Sequence, residues 1–102
     1  MSKLVRDKIP EIIRAHDGVD PLCRIVSDDH EFRHILDEKL DEEIAELRSA
    51  TNSTSRLEEI ADVMEVLFAL ALRDGYNAQE VEDTRIKKRE KRGGFELGII
   101  LE

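Results

Sequence analysis

Two short acidic clusters stand in otherwise apolar helical sequence near the middle of the chain. Residues three apart share one face of a helix, so Glu43 and Glu46 point the same way. The same spacing aligns Glu59 with Asp62. If the polar break at residues 49–55 lets the later helix fold back on the earlier one, the four carboxylates converge. Such a cluster needs a cation, and oxygen ligands favour a hard ion such as Mg²⁺ or Mn²⁺.

Helical-wheel geometry separates inner acids from outer ones. At about 100° per residue, the apolar residues of the second helix occupy an arc of about 120°. Glu43 lies inside this arc, and Glu46 and Lys39 lie beside it. On the third helix Glu59 falls between apolar residues, whereas Glu58 lies toward solvent. The spacing alone leaves open a plainer alternative, in which the acids form a solvated face and pair with neighbouring basic side chains.

Composition indicates one charged, helical domain over residues 1–102. Charged residues make up 39% of the 102 residues and aromatic residues 4%, which is typical of an all-α fold. The formal net charge of -8 argues against a general nucleic-acid-binding protein. There is no signal-peptide pattern and no apolar run near the ~20 residues that cross a bilayer, so we expect a cytoplasmic protein with no membrane span.

Capping and stop signals predict four helices. The first ends at Gly18, and the second runs from residues 27–28 to about residue 49. Capping-box patterns predict that the third helix opens at Ser55 and the fourth at Asn77. The third helix is apolar almost all round, which predicts self-association as a homodimer or a higher homo-oligomer.

Two apolar stretches outside the helices favour a small β element. Residues 22–26 and 95–101 each suit a strand, and we expect the two to pair. Cys23, the only cysteine, lies in the first stretch, where a small core residue is the simplest role.

A histidine pattern at residues 30–34 imitates a zinc-protease motif. His30-Glu31-Phe32-Arg33-His34 fits H-E-x-x-H. The helical wheel places both histidines opposite the apolar stripe, so we expect them to face solvent and to bind no zinc.

The acidic clusters resemble a known signature. Glu42-Glu43-x-x-Glu46, a gap of twelve residues, and Glu59-x-x-Asp62 resemble the motif of the MazG-like, all-α nucleoside triphosphate pyrophosphohydrolases. The segments 3–10 and 91–95 resemble the termini of a small single-domain branch that removes noncanonical nucleotides.

The resemblance implies Mg²⁺-dependent hydrolysis of a nucleoside triphosphate to a nucleoside monophosphate and pyrophosphate. It implies metal ligands at four positions: Glu43, Glu46, Glu59 and Asp62. A carboxylate beside the ions, Glu46 or Glu42, would accept the proton of the attacking water. Two alternatives stay open: a phosphoribosyl-ATP pyrophosphohydrolase-like enzyme and a non-catalytic helical interaction module.

Basic side chains are candidates for binding the substrate's phosphates. The fourth helix becomes basic toward its C-terminus, which suits the helix dipole but also suits phosphate oxygens. Lys39 either binds phosphate or neutralises the acids around it. The expected substrate-binding residues are Arg6, Lys39, Lys88, Lys91 and Arg92.

Overall fold

Four helices make up the regular structure of residues 2–102. The computed structural model describes residues 2–102. The helices are α1 (Ile9–Asp17), α2 (Asp29–Ser49), α3 (Ser53–Arg73) and α4 (Ala78–Arg92). The prediction of an all-α, four-helix fold is therefore confirmed. Within residues 2–102, no helix combines the length and the apolarity needed to cross a membrane.

Side-chain caps determine where α3 and α4 begin. The backbone N–H of Ser55 donates to the side chain of Asn52 over 2.8 Å, so α3 opens at residue 53. The predicted capping box at Ser55 is therefore wrong, because the helix already begins two residues before it. At α4 the predicted box is confirmed, since Asn77 and Glu80 each accept a hydrogen bond from the other's backbone N–H.

α2 and α3 form the packed centre of the fold. A short connection, residues 50–52, lets α3 fold back along α2, as the polar break predicted. Leu36 of α2 and Val66 of α3 are the buried apolar side chains among the described residues. Both lie on the apolar faces that the helical period predicts. This hairpin brings the acidic clusters of the two helices together.

Arginine–aspartate pairs join the start of α2 to the end of α3, at the end of the hairpin opposite its connecting loop. Asp29, in the first turn of α2, accepts hydrogen bonds from Arg33 at 2.8 Å and from Arg73 at 2.6 Å. Arg33 also pairs with Asp74 beyond the end of α3. The guanidinium of Arg73 stacks over the ring of Phe32, 4.8 Å from its centroid. These contacts hold the start of α2 against the end of α3 and so limit sliding of the two helices.

The predicted two-stranded element is wrong. No strand occurs among residues 2–102, and the stretches 22–26 and 95–101 do not pair. The second stretch begins with a turn instead, in which the N–H of Gly98 donates to the carbonyl of Phe95 over 3.3 Å. Gly98 takes a φ of 63°, which suits a residue without a Cβ and interrupts an extended run.

Cys23 and the two histidines of the H-E-x-x-H pattern all lie at the surface. Cys23 is exposed, so its predicted core role is wrong: the stretch around it covers no core. His30 and His34 are exposed as predicted. His34 lies 2.7 Å from Glu38, one turn further along α2.

α4 projects from the hairpin. Among the described residues, α3 is the only helix that it contacts. Val81 and Glu82 are the only residues of α4 that are not exposed. The radius of gyration is 17.1 Å, whereas a compact chain of this length has about 13 Å. The chain is therefore elongated, and every residue from 83 to 102 is exposed.

Candidate metal centre

Three carboxylates from the two packed helices meet at one point. Glu43 and Glu46 come from α2, and Glu59 comes from α3. One carboxylate oxygen of each lies within 4.8 Å of the others. The convergence follows from the hairpin, because the i, i+3 pair on α2 faces the first turns of α3. The structure thus brings together three of the four predicted metal ligands.

Burial leaves two oxygens of this cluster without partners. Glu43 is only 7% exposed. Its Oε2 and the Oε2 of Glu59 are both buried, and neither accepts a hydrogen bond from the described residues. A buried acceptor without a partner costs about 1–3 kcal/mol, and more if charged. Glu46 is exposed and lies at the rim. The arrangement is therefore costly by itself and would be relieved by a cation.

The electrostatics of Glu59 also favour binding of a cation. Burial is the largest cause that raises the pKa of Glu59 above its ordinary value, and the negative charges of Glu46, Asp62 and Glu43 raise it further. Each cause disfavours the ionised form. A bound cation would stabilise the ionised carboxylate of Glu59 and so offset these effects.

Lys39 neutralises part of the cluster. Its Nζ lies 3.2 Å from Oε1 of Glu43 and 3.4 Å from Oε2 of Glu42. Burial of Lys39 opposes its charged form, but the hydrogen bonds and charges of Glu43 and Glu42 outweigh that effect, so the pKa of Lys39 is raised. Lys39 is therefore a cation at one side of the cluster. Its contacts with Glu42 and Glu43 fit one of its two predicted roles, the neutralisation of the acids around it.

Asp62, the fourth predicted ligand, pairs with Arg6. Nη2 of Arg6 donates to Oδ1 of Asp62 over 2.5 Å. Residues 4–7 thereby lie over the hairpin and line a cavity of about 240 Å³ together with Lys39, Glu43 and Asp62. Arg6, predicted to bind substrate, is thus at the acidic site.

Glu42 lies beside the cluster and is partly exposed. Its carboxylate contacts Lys39 and is not among the three that converge. Its predicted role as a proton acceptor, and that of Glu46, stay predictions.

The basic end of α4 lines a different cavity. Lys88 and Arg92 border a space of about 660 Å³ that shares no lining residue with the acidic one. Lys91 is exposed and lines neither. The other lining residues of the basic cavity are Arg85, Arg89, Gly93, Gly94, Phe95 and Glu96. The structure therefore does not bring these three predicted substrate-binding residues together with the acids of the same chain.

The donor set fits Mg²⁺. All the available donors are carboxylate oxygens, and two of them are buried and unpartnered. Mg²⁺ is commonly bound by a few carboxylates, with water and substrate phosphates completing its shell. Nothing in the set offers the nitrogen or sulfur ligands typical of zinc sites.

The contribution of the N-terminal segment could not be read from the sequence. Arg6 and Asp62 are 56 residues apart, and no local pattern links them. The basic character of Arg6 beside an acidic cluster is the only signal, and it gives no partner.

Comparison with known proteins gives a relative that matches part of the chain. The chain is similar to a protein of Mycolicibacterium smegmatis that is described only as uncharacterized, with 55% identity over 58 residues. The matched part is 57% of this chain, and the chain spans 57% of that relative's length. No family model and no solved structure matches the chain. The MazG-like resemblance therefore stays a prediction.

Proposed function

We propose that this protein is a Mg²⁺-dependent nucleoside triphosphate pyrophosphohydrolase. The observation that carries the proposal is the pair of buried, unpartnered oxygens of Glu43 and Glu59 within a three-carboxylate cluster. A cluster that only solvated the surface would expose these atoms to water. The costly arrangement is expected where a cation and a polyanionic substrate bind.

Each residue of the site has a place in this reaction. When bound, Mg²⁺ would neutralise the triphosphate beside the acids and polarise its phosphoryl oxygens. Glu43, Glu46 and Glu59 would hold the ion, and Asp62 would join them on release from Arg6. Glu46, at the exposed rim, or Glu42 would accept the proton of the attacking water. The two sites of positive charge, Lys39 and Arg6, border the same cavity and would contact the phosphates.

The proposal also specifies a class of substrate, a cellular location and an alternative metal ion. We propose noncanonical nucleoside triphosphates as substrates, the cytoplasm as the location, and Mn²⁺ as an ion able to replace Mg²⁺. Mn²⁺ shares the preference of Mg²⁺ for carboxylate and water oxygens.

The exposed apolar surface favours a second candidate, a non-catalytic helical interaction module. Leu57, Ile60 and Met64 of α3 are exposed in this chain and suit a helical partner. In such a module, the acids would be dispensable for the binding.

A substrate panel with product analysis tests the proposal. The purified protein is incubated with Mg²⁺ and with canonical, oxidised, methylated and deoxyuridine triphosphates, and with phosphoribosyl-ATP. We expect a nucleoside monophosphate and pyrophosphate in equal amounts from at least one triphosphate. Activity on phosphoribosyl-ATP alone would replace the proposal by the related enzyme, and release of orthophosphate would contradict cleavage between the α- and β-phosphates.

A further inference from the structure

The cavity beside the acidic cluster runs lengthwise along the hairpin. On α2 its lining residues are Phe32, Leu36, Lys39 and Glu43, which share one face of the helix at spacings of four, three and four. At 1.5 Å per residue, these positions extend over about 16 Å of the helix. The cavity therefore reaches well beyond the three converging carboxylates, toward the end of the hairpin where α2 begins.

The two ends of this cavity differ in polarity. Glu43 and Asp62 line it at the end nearer the loop between α2 and α3, beside the converging carboxylates. Toward the other end, the walls are apolar side chains of both helices. This apolar compartment is lined by Phe32, Leu36, Val66 and Ala69. A nucleoside triphosphate has the same asymmetry, with a polyanionic chain at one end and a flat base at the other.

The ring of Phe32 is held in one orientation at the apolar end. The guanidinium of Arg73 lies over one face of this ring, 4.8 Å from its centroid, and Asp29 in turn binds Arg73 at 2.6 Å. One guanidinium covers one face only, which leaves the rest of the ring to the cavity that Phe32 lines. Stacking on an aromatic side chain strengthens the binding of a base about 5- to 150-fold. Phe32 is therefore a ready stacking partner for a base.

The segment before α1 closes the apolar compartment on the side that the two helices leave open. This N-terminal strap, residues 4–7, lines the cavity. Arg6 ties the strap to Asp62 of α3, and the carbonyl of Arg6 accepts a hydrogen bond from the N–H of Ile9, the first residue of α1, over 3.0 Å. Leu4 and Val5 of the strap are the apolar side chains that roof the compartment.

The closed cavity is small for a whole nucleotide. Its volume is about 240 Å³, whereas pockets that enclose a drug-sized ligand have about 300–1,000 Å³. At about 30 Å³ per water, the space equals that of about eight waters. One ring suits this space, with the triphosphate outside it, near Glu46 at the exposed rim. A two-ring base would have to displace the N-terminal strap or Phe32.

We propose that the apolar compartment holds the nucleobase of the substrate, and that Leu4 and Val5 of the N-terminal strap select pyrimidines over purines by size. This inference rests on the proposed function, because it assigns the other end of the same substrate. The walls of the compartment carry no polar side chain, and the charged residues beside it, Asp7 and Glu65, are exposed. A hydrophobic pocket discriminates only weakly against an isostere with a changed polar group. Selection by size therefore suits noncanonical bases.

Stacking on Phe32 is tested by calorimetry with two probes in Mg²⁺ buffer. The first probe is α,β-imido-dUTP, which resists cleavage between the α- and β-phosphates, and the second is inorganic tripolyphosphate, which has no base. We expect Phe32→Leu to bind α,β-imido-dUTP at least fivefold more weakly than the wild type and to bind tripolyphosphate equally well. Phe68→Leu is the matched control, because Phe68 is also half-buried but lines neither cavity, and it should match the wild type.

Two outcomes of this titration would overturn the base compartment. One is an unchanged affinity of Phe32→Leu for α,β-imido-dUTP. The other is an equal loss for both probes, which would place the effect at the phosphates or in the fold. Circular dichroism checks that each variant is helical, and retained binding of tripolyphosphate checks that the acidic end is intact.

Selection by the N-terminal strap is tested with α,β-imido-dGTP as a third probe. We expect the wild type to bind α,β-imido-dUTP about tenfold or more tightly than the guanine probe, and Leu4→Ala/Val5→Ala to lose most of that preference, because the smaller side chains admit a second ring. Lys3→Ala should keep it, since Lys3 is exposed and lines neither cavity. Equal binding of both probes by the wild type, or an unchanged preference in Leu4→Ala/Val5→Ala, would overturn the selection.

Hydrolysis of dUTP separates this inference from the proposed function. Pyrophosphate release that is equal in the wild type and in Phe32→Leu at every dUTP concentration would overturn the base compartment while the proposed function stands. A wild type that binds α,β-imido-dUTP through Phe32 but hydrolyses no triphosphate would refute the proposed function while the compartment stands.

Discussion

Arg6 donates a hydrogen bond to Asp62 over 2.5 Å and so joins the segment before α1 to the third helix. The pair occupies the acidic end of the hairpin, next to the three converging carboxylates. Arg6 is a cation paired with the predicted fourth ligand, so it would compete for that carboxylate with a metal ion bound at the cluster. Release of Asp62 and transfer of Arg6 to a phosphate group would belong to the same event.

Replacing Arg6 should therefore affect metal and substrate in opposite directions. In Arg6→Gln, Asp62 loses its competing partner, and we expect Mn²⁺ to bind up to about fivefold more tightly, the range of a partly exposed ion pair. The affinity for a triphosphate should fall, because a phosphate-binding cation is lost. Titration by calorimetry or by electron paramagnetic resonance measures both. Arg14→Gln, which removes a surface pair with Asp20, is the control, and equal Mn²⁺ affinities in all three proteins would refute the competition.

Lys39 should matter most when no metal is present. Lys39→Met leaves the buried carboxylate of Glu43 without its nearest cation, and we expect the free energy of unfolding to fall by about 1–3 kcal/mol in metal-free buffer. Urea denaturation at neutral pH measures the change. Saturating Mg²⁺ should recover part of the loss, since the ion replaces the missing charge. A variant as stable as the wild type without metal would show that Lys39 does not compensate the cluster.

The raised pKa of Glu59 predicts a pH-dependent cost to stability. Because the folded state binds this proton more tightly than the unfolded state, the free energy of unfolding falls as pH rises from the ordinary value of 4.5 through the raised pKa. In metal-free buffer, Glu59→Gln should therefore be more stable than the wild type at neutral pH. The difference should vanish below the ordinary pKa, where Glu59 is protonated in both states.

Urea denaturation at several pH values checks this prediction. Glu58→Gln, one residue earlier and exposed, should show no such difference at any pH. A wild type that is more stable than Glu59→Gln at neutral pH without metal would contradict the assigned cost.

The predictable part of the site is the part that depends on helical period. Glu43 lies inside the apolar arc of its helix, and the structure buries it. The helical wheel also predicts that His30 and His34 face solvent, and both are exposed. Period and capping are local properties, so one sequence is enough to read them.

The parts that depend on distant contacts were not predictable. The ion pair of Arg6 with Asp62 spans 56 residues, and no spacing rule covers it. The pairing of residues 22–26 with residues 95–101 was expected because both stretches are apolar. In the structure, the turn at Gly98 and the position of α4 keep the two stretches apart. Strand propensity describes a fit to a sheet, and residues 2–102 contain no strand with which either stretch could pair.

The most direct test of the metal centre compares two neighbouring carboxylates of α3. Pyrophosphate release from an accepted triphosphate is measured against Mg²⁺ concentration for the wild type, Glu59→Gln and Glu58→Gln. Loss of a metal-holding carboxylate should lower kcat/KM by about 100-fold or more in Glu59→Gln, and the Mg²⁺ requirement should shift to higher concentration. Glu58→Gln should match the wild type. Equal rates and equal Mg²⁺ dependence in all three proteins would contradict a metal site at this cluster.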